Sequence, residues 1–237
     1  MTGMEKKIIG ILGGMGPLAT ADLFRKIVDH TAAHRDQEHL HVLVDSNPAI
    51  PDRTAALLHG GENPVPYMIA AARRLQSAGA ELLIMPCHTS HNFYEQVSAA
   101  VDIPLLHMIA ITRDALKARG ITRAGLLATD GTVETGIYRR TFEGSGIELL
   151  LPQGDEQAAV MGVIYQGVKA NDSGYDTSAF CRTCENLLAR GAQTLILGCT
   201  ELPPAFAIYH LDYPATDPTL ELALAAIRQA GGTPTMA

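Results

Sequence analysis

Residues 78–87 read AGAELLIMPC and residues 190–199 read RGAQTLILGC. Each stretch has a glycine at the end of a segment with helical period, then a short apolar run that is typical of a buried parallel strand. A cysteine comes just after the strand in both stretches. Strand–helix units resemble one another in general, but that likeness does not explain a cysteine at the same place twice. The pair therefore indicates a duplication.

A second pair of stretches occurs in the same order and at nearly the same separation. Residues 10–20, GILGGMGPLAT, align without gaps with residues 125–135, GLLATDGTVET. Short apolar runs also alternate with helix-period segments along the whole chain. The predicted strands are residues 8–12, 40–44, 82–85, 124–128 and 194–197, and the predicted helices are residues 19–30, 67–77, 92–100, 109–119, 134–142, 176–190 and 219–229.

This alternation predicts an α/β fold with two pseudo-symmetric domains, each a mostly parallel sheet flanked by helices. We place the first domain at residues 1–108 and the second at residues 109–215. The C-terminal segment, residues 216–237, contains the last predicted helix. We expect that helix to pack back on the first domain.

The composition excludes several classes of protein. The chain has 237 residues and a formal net charge of −7, with no run rich in Lys or Arg, so a nucleic-acid partner is not expected. No apolar run is long enough to span a membrane. The first residues lack a signal-peptide cleavage pattern, so we expect a cytoplasmic protein with reduced thiols. The four cysteines then serve packing, catalysis or metal binding rather than disulfides.

Cys87 and Cys199 are the strongest candidates for catalytic residues. Ligands of parallel α/β sheets bind beyond the carboxyl ends of the strands, where both cysteines lie. If two similar halves face each other, the two sulfurs approach a common cleft from opposite sides. A racemase needs this arrangement, because one group removes the α-proton and the other delivers a proton to the opposite face. The alternative is a pair of buried, inert cysteines, and the symmetric placement argues against it.

Four motifs in order resemble those of the aspartate/glutamate racemase family over essentially the whole chain. They are GGMGP at residues 13–17 with the Ala-Thr pair that follows, IPDRT at residues 50–54, PCHTSH at residues 86–91 and GCTEL at residues 198–202. The resemblance implies an active site in the cleft between two α/β domains. It also implies racemisation of an amino acid, aspartate or glutamate, by a homodimer that uses neither pyridoxal phosphate nor a metal.

The resemblance also implies roles for individual residues. Cys87 and Cys199 correspond to the paired acid/base groups, and Arg53 and Lys169 to groups that bind a substrate carboxylate. A guanidinium holds a carboxylate bidentately and an ammonium acts as a point charge, so the pair suits a dicarboxylic substrate. Two solvated surface charges are the alternative. The residues expected to line the pocket are Met15, His88 and Thr89.

The segment after the first cysteine departs from the family pattern. The family usually has Asn-Thr-Ala-His there, and this chain has His88, Thr89, Ser90 and His91. An amide that bonds substrate is replaced by an imidazole, which is a group that titrates near neutral pH. A metal site or a Cys–His nucleophile is an alternative role for these histidines, although common zinc sites have a second ligand pair that is missing here. The identity of the preferred amino acid stays open.

Three further motifs have a structural alternative. The glycines of residues 13–16 lack the spacing of a nucleotide-binding loop, and no Walker lysine follows them. Cys181 and Cys184 form a lone Cys-x-x-Cys in a predicted helix, which we interpret as packing. Glu201 either orients the Cys199 thiol or caps the next helix.

Other functions stay open at this point. A hydantoin racemase, maleate isomerase or decarboxylase of the wider superfamily is the second possibility. A non-catalytic, two-lobed binder of an acidic ligand is the third. Retention of both cysteines together with Arg53 and Lys169 favours the amino-acid racemase, because a binder has no use for paired thiols.

Overall fold

The computed structural model describes residues 6–235 of the chain. Two compact units are distinguished. Among the described residues, the first comprises residues 6–111 together with residues 219–235, and the second comprises residues 112–218. The helix α5 (Met108–Ala118) contains the first boundary, and the second boundary falls at the start of α11 (Pro218–Gln229).

The first unit is built on a sheet of three parallel strands. They are β1 (Ile9–Gly13), β2 (Val42–Ser46) and β3 (Leu82–Ile84), and β1 lies in the centre. The helices of this unit, besides α11 and the first turn of α5, are α1 (Pro17–Asp29), α2 (Arg53–Leu58), α3 (Val65–Ser77) and α4 (Tyr94–Ser98). The sequence patterns located all of these elements except α2.

Side chains of the central strand alternate between two apolar layers. Ile9 and Ile11 belong to the layer that also contains residues of α1 and α11. Leu12 belongs to the opposite layer, with residues of α3 such as Met68 and Leu75. The C-terminal helix is therefore part of the core of the first unit. Both faces of the sheet are covered, as an all-parallel sheet requires.

The second unit has four parallel strands. They are β4 (Arg123–Ala128), β5 (Glu148–Leu150), β6 (Thr194–Gly198) and β7 (Ala215–Thr216), in the order β5-β4-β6-β7. The sequence patterns did not locate β5 or β7, which have three and two residues. The helices of this unit are α6 (Asp130–Glu134), α7 (Ile137–Phe142), α8 (Asp155–Gly162), α9 (Ser178–Ala189) and α10 (Leu202–Ile208).

One local prediction for the second unit was wrong. Residues 134–142 were predicted to form one helix, but the chain breaks between α6 and α7. Gly136 lies there with φ of 65°, a left-handed conformation that no α-helix contains. In addition, α8 and α10 were not predicted. A π-helical segment, Val163–Val168, continues directly from α8.

The duplication is visible in how the central strands pack. A Cβ atom on Gly10 would lie 2.7 Å from Leu83 Cδ2, and one on Gly125 would lie 2.8 Å from Leu195 Cδ2. Gly10 and Gly125 are aligned in the repeat, and so are the two leucines. In both sheets a side chain of the neighbouring strand therefore fills the space that the missing Cβ leaves.

Gly125→Ala is predicted to destabilise the protein by about 1–3 kcal/mol, because the added methyl group overpacks a filled core. Besides the Leu195 contact, the new Cβ would lie 3.2 Å from Leu187 Cδ1. Urea unfolding followed by circular dichroism measures the change. The matched control is Gly174→Ala, at an exposed site where the nearest atom is Asp172 Oδ1 at 3.5 Å. Equal stability of the two variants would contradict the packing argument.

Candidate active site

The first cysteine lies just past the carboxyl end of β3. Cys87 is 6% exposed, and its amide donates a hydrogen bond to the Met85 carbonyl at 3.0 Å. A 3-10 turn, Thr89–Phe93, follows and leads into α4. All residues from 87 to 91 are buried. The polar side chains of this segment are therefore held inside the first unit.

The glycine loop after β1 is fixed by Thr20 of α1. The Thr20 hydroxyl accepts a hydrogen bond from the Gly14 amide at 2.8 Å and donates one to the Gly16 carbonyl at 2.9 Å. Gly14 has φ of 90°, and a Cβ there would lie 2.3 Å from the backbone of Asn47. Only glycine fits this position. The loop is thus a tight turn at the carboxyl end of the central strand.

Met15 connects this loop to two other predicted pocket elements. The Ser90 hydroxyl donates to Met15 Sδ at 3.3 Å, and Arg53 Nη2 donates to the Met15 carbonyl at 3.3 Å. Arg53 Nη1 donates to the carbonyls of Ile50 at 3.2 Å and Pro51 at 3.0 Å. Within the first unit the structure therefore brings together Met15, Arg53 and the segment after Cys87.

Arg53 keeps unused hydrogen-bonding capacity. Its three contacts with backbone carbonyls use three of the five guanidinium N–H groups. Its Nε is buried and has no hydrogen-bond partner among the described residues. In a guanidinium, the Nε–H and one Nη2–H lie on the same edge of the planar group. That edge can hold a carboxylate bidentately.

The histidines after Cys87 are neutral in the folded protein. Burial lowers the pKa of His88 from 6.5 to about 3. Burial, and then the neighbouring His107 and His88, lower the pKa of His91 well below 6.5. The ring of His91 stacks on that of His107 with centroids 4.8 Å apart, and Tyr94 lies 4.6 Å from His107. The sequence suggested that His88 titrates near neutral pH, but burial removes that property.

The second cysteine lies just past the carboxyl end of β6 and is 7% exposed. Cys199 Sγ donates to Glu201 Oε2 at 2.9 Å, and the Thr200 hydroxyl donates to the same oxygen at 3.3 Å. Glu201 occupies the N-cap position of α10, yet its side chain makes no capping hydrogen bond. Of the two roles that the sequence left open for Glu201, the contact with the thiol is the one in the structure.

Charges near Cys199 shift the pKa of its thiol in opposite directions. Burial and the Glu201 carboxylate raise the pKa of the Cys199 thiol well above its usual range, and Lys169 opposes them. Lys169 follows the π-helical segment, and its ammonium lies 4.4 Å from the centre of the Tyr165 ring. The sequence did not predict this π-helical segment. No pattern in it distinguishes a π-helix from an α-helix.

Tyr138 is a buried neighbour that sequence patterns missed. It is 1% exposed, and burial, Cys199 and Asp217 raise its pKa well above 10.0. It is therefore a neutral phenol near the second cysteine. Nothing in the sequence distinguished it from an ordinary core tyrosine.

The remaining cysteines lie elsewhere in the second unit. Both are in α9, and both are free. Burial raises the pKa of Cys184 to about 12, which leaves its thiol protonated and unreactive. This agrees with a packing role for the pair Cys181 and Cys184.

Across residues 6–235, no group of three or more His, Cys, Asp or Glu side chains could hold a metal ion, and no helix is long and apolar enough to cross a membrane.

Comparison with known proteins gives consistent findings over nearly the whole chain. Residues 12–230 match the family model described as Asp/Glu/Hydantoin racemase. The broad specificity amino-acid racemase RacX of Bacillus subtilis is 25% identical over 224 residues, which cover 93% of this chain and 96% of RacX. The aspartate racemase of Picrophilus torridus is 32% identical, with a TM-score of 0.83 and coverage of 97% of this chain and 96% of that one.

A more distant structure is similar in fold alone. The glutamate racemase of Francisella tularensis, solved in complex with D-glutamate, is 18% identical with a TM-score of 0.65. The alignment covers 95% of this chain and 81% of that protein.

The buried histidines predict how stability depends on pH. In the unfolded chain His88 binds a proton below about pH 6.5, whereas in the folded protein it stays neutral down to about pH 3. The unfolded state therefore binds more protons between these values. We expect the free energy of unfolding to fall as the pH falls, by about 1.4 kcal/mol per pH unit for each such imidazole.

Urea unfolding of His88→Gln at about pH 7.5 and about pH 5 measures this contribution. The variant is expected to lose about 2 kcal/mol less than the wild type between the two pH values. His59→Gln, at an exposed position, is the matched control for the His→Gln substitution itself. A His88→Gln profile parallel to that of the wild type would contradict the assignment of a buried neutral imidazole.

Proposed function

Because the chain belongs to the Asp/Glu/Hydantoin racemase family, we propose that it racemises an acidic amino acid, aspartate or glutamate, with Cys87 and Cys199 as its two acid/base groups. The observation that carries the proposal is the equivalent placement of the cysteines. Each lies a short distance past the carboxyl end of a parallel strand, Cys87 after β3 (Leu82–Ile84) and Cys199 after β6 (Thr194–Gly198), and is at most 7% exposed. The enzyme needs no cofactor for this chemistry, because thiols supply both proton-transfer groups.

The proposed reaction is a proton transfer at Cα. One cysteine, as the thiolate, takes the α-proton from one face of the substrate. The other, as the thiol, delivers its proton to the opposite face, so the configuration inverts. The reverse reaction exchanges the two roles. An α-proton beside a carboxylate is weakly acidic, so fixed cations and dipoles must stabilise the carbanion-like transition state.

Arg53 and Lys169 are the cations proposed for this task. The edge of the Arg53 guanidinium that contains Nε suits one substrate carboxylate, because Nε has no partner among the described residues and three backbone carbonyls hold the group in place. The Lys169 ammonium suits a second carboxylate as a point charge. A substrate with two carboxylates, such as aspartate or glutamate, uses both. The similarity to the aspartate racemase of Picrophilus torridus supports this choice of substrate.

Replacing either Cys87 or Cys199 with Ser is predicted to abolish racemisation in both directions. Each single variant is expected to exchange the α-proton of at most one enantiomer, because one competent base remains on one face. NMR of α-deuteration in D2O, with a panel of L- and D-amino acids, measures both. Cys181→Ser, at a partly exposed thiol in α9, is the matched control and is expected to racemise normally. The two-cysteine mechanism is wrong if either active-site variant racemises at near the wild-type rate.

Arg53→Ala and Lys169→Ala are both predicted to reduce kcat/KM for an acidic substrate, and the variant that loses the contact with the side-chain carboxylate is predicted to reduce it more than for a neutral substrate, which has only the α-carboxylate. Loss of one charge-assisted hydrogen bond to a carboxylate costs about 2–3 kcal/mol. Steady-state kinetics with both substrates measure the difference, and urea unfolding separates it from any loss of stability. Arg74→Ala, at an exposed arginine paired with Asp45, is the control. An equal loss for acidic and neutral substrates in both variants would rule out carboxylate selection by these residues.

A further inference from the structure

The duplicated segments differ in the residue two positions after each cysteine. The first copy reads Cys87, His88, Thr89, and the second reads Cys199, Thr200, Glu201. Thr89 therefore occupies the place that Glu201 takes in the second unit. A carboxylate follows only one of the two cysteines, so the duplication does not make the two thiols chemically equivalent.

The contact between Cys199 and Glu201 has a definite hydrogen-bond direction. Glu201 Oε2 receives the thiol at 2.9 Å and the Thr200 hydroxyl at 3.3 Å. An ionised carboxylate only accepts hydrogen bonds, so the sulfur has to be the donor. A thiolate has no proton to donate and would repel the carboxylate. The geometry is therefore that of a protonated Cys199.

The charged and titratable groups near Cys199 on the surrounding elements also favour the protonated thiol on balance. Glu201, at the start of α10, and burial raise the pKa of the thiol, while Lys169, after the π-helical segment, lowers it. Tyr138 of α7, which lies near enough to interact electrostatically with Cys199, is a neutral phenol, because burial and then Cys199 and Asp217 raise its own pKa. Lys169 is exposed to solvent, where its field is screened, whereas the carboxylate touches the sulfur.

We propose that Glu201 is a positioning residue that keeps Cys199 protonated in the resting enzyme, so that Cys87 removes the α-proton and Cys199 delivers one in the first turnover. This inference rests on the proposed function. The proton balance is simple. Cα–H gives its proton to the Cys87 thiolate, and the Cys199 S–H bond gives its proton to Cα from the opposite face.

The same contact determines what happens after that turnover. Cys87 is then a thiol, and Cys199 is a thiolate next to the Glu201 carboxylate. Two like charges in contact at a buried site disfavour this form. Transfer of the proton from Cys87 to Cys199 is therefore favourable. Water can carry it, with Cys87 giving its proton to solvent as Cys199 takes one up, or a substrate molecule of the opposite configuration can do so by reacting in the reverse direction. Glu201 thus selects which of the two protonation states the free enzyme adopts.

The test follows the titration of each cysteine directly in the substrate-free protein. Protein labelled with 13C at cysteine Cβ gives resonances that move when the thiol ionises, and single Cys→Ser variants assign them. In Glu201→Gln the midpoint of Cys199 is expected to fall by about one pH unit or more relative to the wild type, since one adjacent negative charge is removed. The Cys87 resonance is expected to titrate as in the wild type.

Two further variants separate charge from structure. Glu201→Asp keeps the negative charge and is expected to leave the Cys199 midpoint closer to the wild type than Glu201→Gln does. Glu134→Gln removes a carboxylate from an exposed position of the same unit and is expected to change neither cysteine. An unchanged Cys199 midpoint in Glu201→Gln overturns the proposal. So does an equal shift in the Gln and Asp variants, because the carboxylate charge is then not the cause.

The titration uses no substrate, so its failure is distinguishable from failure of the proposed function. Racemisation without a Cys199 shift overturns only the role of Glu201. A Cys199 shift without racemisation or α-deuteration of any amino acid tested overturns the proposed reaction and the order of proton transfers with it.

Discussion

Parallel pairing of the central strands is the constraint on which the candidate active site depends. Since β1 and β3 run in the same direction, the glycine loop after β1 and the cysteine segment after β3 emerge at one edge of their sheet. Met15 and Ser90 are 75 residues apart, and that common edge brings them into contact. In the second unit, β4 and β6 are paired in the same way. In both sheets a glycine in the central strand leaves the space that a leucine of the neighbouring strand fills.

The two copies of the motif use burial in different ways. In the first unit, burial removes charge: His88 and His91 stay neutral, so the segment after Cys87 offers polar but uncharged groups. In the second unit, burial strengthens the effect of a charge. The Glu201 carboxylate contacts the Cys199 thiol, which has little access to water that would screen that charge. A symmetric duplication has therefore produced two chemically different cysteines. A reaction that needs one acid and one base at the same moment can use such a difference.

The sequence predicted long, strongly periodic elements and missed short ones. The helices α1, α3, α9 and α11 were located to within two residues or so, because an amphipathic pattern over three turns is distinctive. The strands β5 and β7 are too short to show a period, and a single glycine at residue 136 divides what looked like one helix. Neither α8 nor the π-helical segment that precedes Lys169 was predicted, so the backbone context of that lysine came from the structure.

By itself, the sequence determined the α/β class, the duplication and the position of each cysteine after a strand. These follow from local periodicity and from spacing along the chain, which the printed residues contain in full. The tertiary structure decided that Glu201 contacts the Cys199 thiol rather than capping α10, that Arg53 is held by the carbonyls of three residues, and that His88 is neutral. Such properties depend on how far side chains are from one another and from water. Both distances exist only after residues remote in the chain have packed together.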